Sequence, residues 1–253
     1  MPMLAAQRKT LLLDRLRVDG RVVAKDVAAE LGLSEDSIRR DLRELAAAGL
    51  CQRVYGGALP ASPAVADYAA RQQVEPDSKR RVAERALGMI EPGMSVILDG
   101  GTTTLAMVNA LPASLRCTVI THSPTIATAL VDHPSAEVLI IGGRLYKHSA
   151  VACGAAAVEA AQAYTADLFF LGVTGVHPRA GLTTGDADEA AMKRALAARA
   201  ADTWALASVE KMGAASPYLV LQVGSVAGII TDSPRTSPVV GDLTAQGATV
   251  HTV

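Results

Sequence analysis

Hydrophobic positions recur at helical spacing through the first fifty residues and gather into short unbroken runs beyond residue 90. In RKTLLLDRLRVDG, Leu12, Leu13 and Leu16 form one apolar stripe, which predicts a helix ended by Gly20. A second helix is predicted over Ala24 to Leu31, with Val27, Ala28 and Leu31 on one side and Gly32 closing it in the left-handed conformation. Ser34 caps a third helix. Glu35 and Asp36 occupy its first turn, where the helix dipole favours acids, and Ile38, Leu42 and Leu45 repeat at the buried spacing up to Gly49. The next stretch, LCQRVYGGAL, sets two short apolar runs around a pair of glycines and predicts a hairpin turning there.

That order of elements predicts a winged helix-turn-helix over residues 1–58. Residues 59–78, with three prolines and no long apolar period, predict a linker carrying one helical turn near Tyr68. From Lys79 onward, continuous apolar runs predict strands covered on both faces: Ser95 to Asp99, Cys117 to Thr121, Glu137 to Ile141, Asp167 to Gly172, Thr203 to Ala207 and Gly228 to Thr231. Helical stretches alternate with them, over Lys79 to Ile90, Thr104 to Ala110, Thr125 to Val131 and Asp186 to Ala201. The expected class is α/β: an N-terminal winged helix-turn-helix joined to a larger Rossmann-like domain, residues 79–253, with a mostly parallel sheet.

Composition narrows the chemistry. Half of the 253 residues are hydrophobic, enough for a sizeable core, and neither a membrane-length apolar run nor a signal peptide is evident, so a cytoplasmic location without membrane contact is expected. Cys51, Cys117 and Cys153 are widely spaced and form no CxxC pair, so they read as reduced packing residues. No metal or cofactor is expected. The net charge of −1 divides into +2 for residues 1–60 and −3 for the remainder. Aromatic residues make up 3% of the chain, which disfavours single-strand stacking as a mode of nucleic-acid binding.

On the third helix the face opposite Ile38 carries Asp36, Arg40 and Arg43, flanked by Ser37 and Arg39. An arginine there can bridge guanine O6 and N7 in a major groove or hold a phosphate, and Ser37 can reach either kind of group. Arg53 and Tyr55 on the wing are placed to grip the adjacent backbone. Solvation of a polar face accounts for such arginines on an isolated helix; the hairpin behind this one favours double-stranded DNA.

The stretch RVVAKDVAAELGLSEDSIRRDLRELAAAGLCQRVYGGA resembles the DNA-binding signature of the DeoR family of bacterial transcription regulators. Ser34, Ile38, Arg39, Arg40, Asp41 and Leu42 match the recognition-helix motif; Ser37 stands for its usual threonine and Tyr55 for the usual histidine of the wing. Further along, LDGGTTT, VITHS, IIGG, LGVTG, GLTTGD and AMKRAL fall in the order of that family's effector domain. The resemblance implies a fold related to ribose-5-phosphate isomerase and glucosamine-6-phosphate deaminase, a sugar-phosphate effector, a DNA operator, repression relieved by ligand, and a homodimer or homotetramer.

Strand ends of an open parallel sheet bind ligands, and here they carry Asp99-Gly100-Gly101, Thr121-His122-Ser123 and Gly142-Gly143. Gly100 and Gly101 let backbone approach an anion, and Thr102, Thr103 and Thr104 offer amides and hydroxyls to phosphate at a helix start. Asp99 suits sugar hydroxyls, with His122 across the crevice helping to select the sugar; the bland alternative for His122 is a hydrogen-bonded structural residue. Arg144 either adds a cation or is an exposed loop residue. Lys193 matches a family lysine that the resemblance turns toward ligand, while its alternative is a surface pair with Glu189 worth about 0.3 kcal/mol. Lys211 matches the lysine of the family's DSSK motif, although Ser208, Val209 and Glu210 replace the three residues before it.

The main enzyme alternative is a sugar-phosphate isomerase or deaminase-like activity beside an accessory DNA-binding domain. GDADEAA echoes an isomerase motif, but Asp186, Asp188 and Glu189 sit where a helix start wants capping acids, and no tuned general base is identifiable. A helix-turn-helix on a linker favours the sensor.

Overall fold

The computed structural model describes residues 4–62 and 68–253. The first unit runs α1 (Ala5–Asp19), β1 (Val22–Val23), α2 (Ala24–Leu31), α3 (Glu35–Ala47), β2 (Cys51–Val54) and β3 (Gly57–Pro60). Leu12, Leu16, Val27, Ile38, Leu42 and Leu45, all from the expected apolar stripes, are buried in one core. The strands form an antiparallel sheet in the order β1-β3-β2, so this unit is a winged helix-turn-helix. β1 escaped the pattern because two residues are too short to show an alternation.

The hairpin turns one residue earlier than expected. Val54 pairs with Gly57, which leaves Tyr55 and Gly56 as the turn and puts Gly57 inside β3. A Cβ on Gly57 would lie 1.8 Å from the Val22 carbonyl oxygen, so the bare backbone is what lets β1 close onto β3. Asp41 is buried: its carboxylate takes both Nε and Nη2 of Arg8, clamping α3 to α1.

Residues 63–67 of the expected linker lie outside the described residues. Beyond them come α4 (Tyr68–Gln72), at the expected helical turn, and then α5 (Pro76–Leu87), β4 (Ser95–Leu98), α6 (Thr102–Asn109), β5 (Cys117–Thr121), α7 (Pro124–Ala129) and β6 (Ala136–Ile140). The chain continues through β7 (Arg144–Tyr146), β8 (Val151–Cys153), α8 (Ala155–Ala161), β9 (Ala166–Gly172), β10 (Gly175–His177), β11 (Gly181–Thr184) and α9 (Ala187–Ala197). It ends with β12 (Ala200–Ala207), β13 (Tyr218–Leu221), β14 (Gly228–Thr231), α10 (Pro238–Ala245) and β15 (Val250–Thr252).

All the expected strands lie in one parallel sheet, in the order β15-β14-β12-β9-β4-β5-β6. Phe169 and Phe170, consecutive on β9, point to opposite faces and join separate cores. One core packs α8, α9 and α10; the other packs α5, α6 and α7. The α/β class and the parallel sheet follow directly. Two antiparallel additions, β7 with β8 and β10-β11-β13, carry no long apolar run and were not expected.

Strand order fixes where a ligand can enter. From β4 the chain winds outward through β5 and β6, then returns to the other side of β4 with β9 and winds outward again through β12, β14 and β15. The switch therefore lies between β4 and β9, and the crevice of a doubly wound sheet opens above the carboxyl ends of those two strands.

Candidate functional site

A cavity opens at that switch. Gly100 to Thr104 line one side of it, Gly172 to Thr174 another, and Arg71, Lys79, Lys193 and Lys211 bring cations to its wall. Backbone geometry explains the first wall. Gly101 is the N-terminal cap of α6 at φ 124°, a conformation that disfavours any side chain, and a Cβ on Gly100 would meet Val151 at 2.0 Å. The first-turn amides of α6 have no partner within the helix and sit at the positive end of its dipole.

The polar groups are unevenly engaged. Lys211 Nζ donates to Thr103 Oγ1 at 3.1 Å, and burial pushes the Lys211 pKa down to about 8, with Glu210 offsetting part of the fall. Lys79 is buried and donates to the carbonyls of Arg71 and Val74; burial lowers its pKa too, against the pull of Glu210. Arg71 Nη2 donates to the His148 carbonyl at 2.6 Å. Thr104 Oγ1 and Glu210 Oε2 are buried without a hydrogen-bond partner among the described residues.

Behind the cavity sits a closed charge cluster. Asp99 Oδ2 accepts from Lys193 Nζ at 2.5 Å and from the Gly172 amide at 2.9 Å, while Oδ1 accepts from the Gly100 amide and faces His122 Nε2 at 2.8 Å. Burial alone would raise the Asp99 pKa, but Lys193 and His122 outweigh it and hold the carboxyl below its ordinary range. Burial would likewise lower Lys193, yet Asp99 and Glu189 hold it above the usual value. Glu189 stands 3.5 Å from Lys193 and accepts a hydrogen bond from Thr184. Because both side chains are almost fully buried, the surface-pair account of Lys193 and Glu189 is corrected to a core ion pair whose lysine reaches the cavity wall.

The structure thus divides the expected ligand residues. Gly100, Gly101, Thr102, Thr103, Thr104, Lys193 and Lys211 come together on the cavity. Asp99 and His122 are fully buried and spent on each other and on Lys193, so the expected reading of sugar hydroxyls by this pair is corrected to a structural role. His122 Nδ1 is also occupied, by the Ala152 carbonyl at 2.8 Å. Ser123 is buried against the Ala150 carbonyl and Thr125, and Gly142 and Gly143 follow β6, with Gly143 packed against Ala157. Arg144 is exposed and paired with Asp188 at 2.5 Å. These residues lie beyond β5 and β6, on the side of β4 away from β9, which is why loops chosen by strand ends alone missed the cavity. Arg71, Lys79 and Glu210 line it without having been anticipated. Nothing in the local pattern marks them; of the missed wall only Gly172 to Thr174 carried a signal, the LGVTG motif.

On the winged unit, Ser34 caps α3 through the Ser37 amide and also meets the Ser37 hydroxyl at 2.9 Å. Arg39 is held by Glu35 at 2.6 Å. Arg40, Arg43 and Arg53 are exposed, and among the described residues no hydrogen bond or ion pair engages their guanidinium groups. Tyr55 stands fully exposed at the wing tip, and Arg39, Arg53 and Tyr55 line one shallow groove between α3 and the wing. Asp186 caps α9 by accepting from the Glu189 amide at 2.9 Å.

A helix-turn-helix with exposed arginines on its third helix, joined to a doubly wound domain with a cationic switch-point cavity, defines a ligand-responsive DNA-binding regulator. Residues 8–63 match the DeoR-like helix-turn-helix domain and residues 74–233 the DeoR C-terminal sensor domain. The chain belongs to the DeoR family of transcription regulators. It is 32% identical over 251 residues to the HTH-type transcriptional regulator GlpR of Haloferax volcanii, covering 98% of each chain. It is 30% identical to the HTH-type transcriptional repressor GlcR of Bacillus subtilis, covering 89% of this chain and 88% of that one. With the glycerol-3-phosphate regulon repressor of Escherichia coli it shares 26% identity, over 90% and 91% of the two chains. Among the described residues no helix is long and apolar enough to cross a membrane.

Proposed function

We propose that this protein is a repressor of a carbohydrate operon whose hold on its operator is weakened by a phosphorylated sugar or polyol bound at the β4/β9 switch. The observation that carries the reading is the cavity itself: Arg71, Lys79 and Lys211 converge with the amides of a helix start and the Thr104 hydroxyl, which has no partner among the described residues. Such a set matches a phosphomonoester, which brings about two negative charges and three acceptor oxygens at neutral pH. The names of the relatives, a glycerol-3-phosphate regulon repressor among them, support the same ligand class. Gly100 to Thr104 hold the phosphate and Lys211 neutralises it, while Lys193 supports the wall from behind.

On DNA, Arg40 and Arg43 enter the groove from α3, with Ser37 and Arg39 beside them, and Arg53 and Tyr55 hold the flanking backbone. Ser34 contributes by fixing the helix start. The working unit is a symmetric dimer or tetramer in the cytoplasm, the usual way helix-turn-helix proteins match paired half-sites. The exposed edge strand β6 and the apolar Val131, Ile140 and Leu145 near it support self-association.

Catalysis is not part of this reading: Asp99 and Glu189 are locked in ion pairs, and Asp186 caps a helix. Thermal-shift measurements with ribose 5-phosphate, fructose 1-phosphate, glucose 6-phosphate and glycerol 3-phosphate test the site. At least one should stabilise the wild type, and Thr103→Val should blunt the shift. Silence across the panel, or ketose formed from ribose 5-phosphate, would contradict it.

A further inference from the structure

The carboxylate of Glu210 is held at one end only. Its Oε1 accepts from the Ser208 hydroxyl at 2.6 Å, whereas Oε2 is buried at the cavity wall and accepts no hydrogen bond among the described residues. A buried anionic oxygen without a donor is costly, and the cost is recovered only when a donor arrives from within the cavity. Lys79 and Lys211 lie close enough to feel the Glu210 charge, yet their ammonium groups are turned to the carbonyls of Arg71 and Val74 and to Thr103.

We infer that Glu210 is the specificity-determining residue of the effector cavity, accepting a hydrogen bond from an uncharged hydroxyl of the sugar or polyol whose phosphate the Gly100 to Thr104 wall holds. The inference rests on the phosphate-binding reading of the cavity and adds what recognises the remainder of the ligand. Lys193 is engaged by Asp99 and Glu189, so Arg71, Lys79 and Lys211 are the cations left to face the phosphate. The donors that a sugar or polyol phosphate brings to Glu210 are its hydroxyls. Glu210 also opposes bare anions by like-charge repulsion, so the cavity discriminates against inorganic phosphate in favour of a phosphate carrying a hydroxylated chain.

Calorimetric titration at pH 7 with the best binder of the panel above, and separately with inorganic phosphate, tests this on the intact protein. Glu210→Gln should weaken the sugar phosphate about tenfold or more, the usual value of a hydrogen bond to a charged group, while inorganic phosphate binds as well or better. Glu210→Ser, which removes the reach altogether, should show the same split. Parallel loss of both ligands would overturn the inference, and so would wild-type preference for glucosamine 6-phosphate over glucose 6-phosphate. Failure of the wild type to bind any phosphate compound would instead remove the cavity reading on which the inference stands.

Discussion

The Ser62 hydroxyl donates a hydrogen bond to the main-chain carbonyl of Thr174, tying the segment that leaves the wing to the wall of the effector cavity. Ser62 follows β3 by two residues, and Ala61 forms a parallel bridge with Ala215, four residues beyond Lys211. Thr174 itself donates to the Ser216 hydroxyl at 2.7 Å. A ligand that draws Lys211 or the Gly172 to Thr174 wall inward therefore pulls on the base of the wing. Ser62→Ala should leave ligand affinity within about twofold, yet reduce the ligand's effect on operator affinity, read by paired titrations with and without effector. An unchanged ligand effect would remove this contact from the coupling.

Arg40→Ala and Arg43→Ala test the groove face, since both side chains are exposed and have no ion-pair partner among the described residues. Loss of a base contact should cost about 1–3 kcal/mol of operator affinity, and loss of a phosphate contact should flatten the salt slope by about one. Operator titrations across a salt series distinguish the two, and an unaltered affinity and slope for both variants would mean α3 docks by another face.

Asp99→Asn distinguishes a structural carboxylate from one that reads sugar. With the charge removed, buried Lys193 keeps the Gly172 carbonyl at 3.0 Å and, as its remaining ion-pair partner among the described residues, Glu189 at 3.5 Å. Breaking a buried pair from one side costs about 3–5 kcal/mol, so urea denaturation of the effector domain should move to markedly lower midpoint. A stable variant with selective loss of sugar affinity would restore the ligand-contact role.

Lys211 gives the effector site a pH signature. Its pKa of about 8 in the free protein means that the ammonium needed by phosphate is lost as pH rises through that value. Affinity should fall about tenfold between pH 7 and 9, with a second limb near pH 6 where the phosphate itself takes up a proton. The stability of the ligand-free protein runs the other way. A depressed lysine pKa makes the buried charge unfavourable below about 8, so this group adds stability as pH rises from there toward the ordinary 10.5. A flat affinity profile from pH 7 to 9 would exclude Lys211 from phosphate binding.

The domain order, the recognition helix and the parallel strands were legible because each rests on local signals: Ser34 before Ile38, Leu42 and Leu45, and runs such as that ending at Thr121. The phosphate wall was legible for the same reason, as strand, glycines and threonines are contiguous in LDGGTTT. The other half of the cavity was not. Which strand lies beside β4 depends on topology, so Gly172 to Thr174 were not distinguished from the ends of β5 and β6. Arg71 and Lys79 reach the site only because α4 and α5 fold back over it, and Asp99 was misread because its partner Lys193 lies ninety-four residues away.

Operator affinity measured against increasing sugar phosphate, on the wild type and on Lys211→Met, tests the central claim most directly. The account predicts that the effector which stabilises the wild type also weakens its operator binding, and that Lys211→Met still binds operator but responds only at much higher ligand concentration. Wild-type operator affinity indifferent to a ligand that demonstrably binds, or an equal response from the variant, would contradict it.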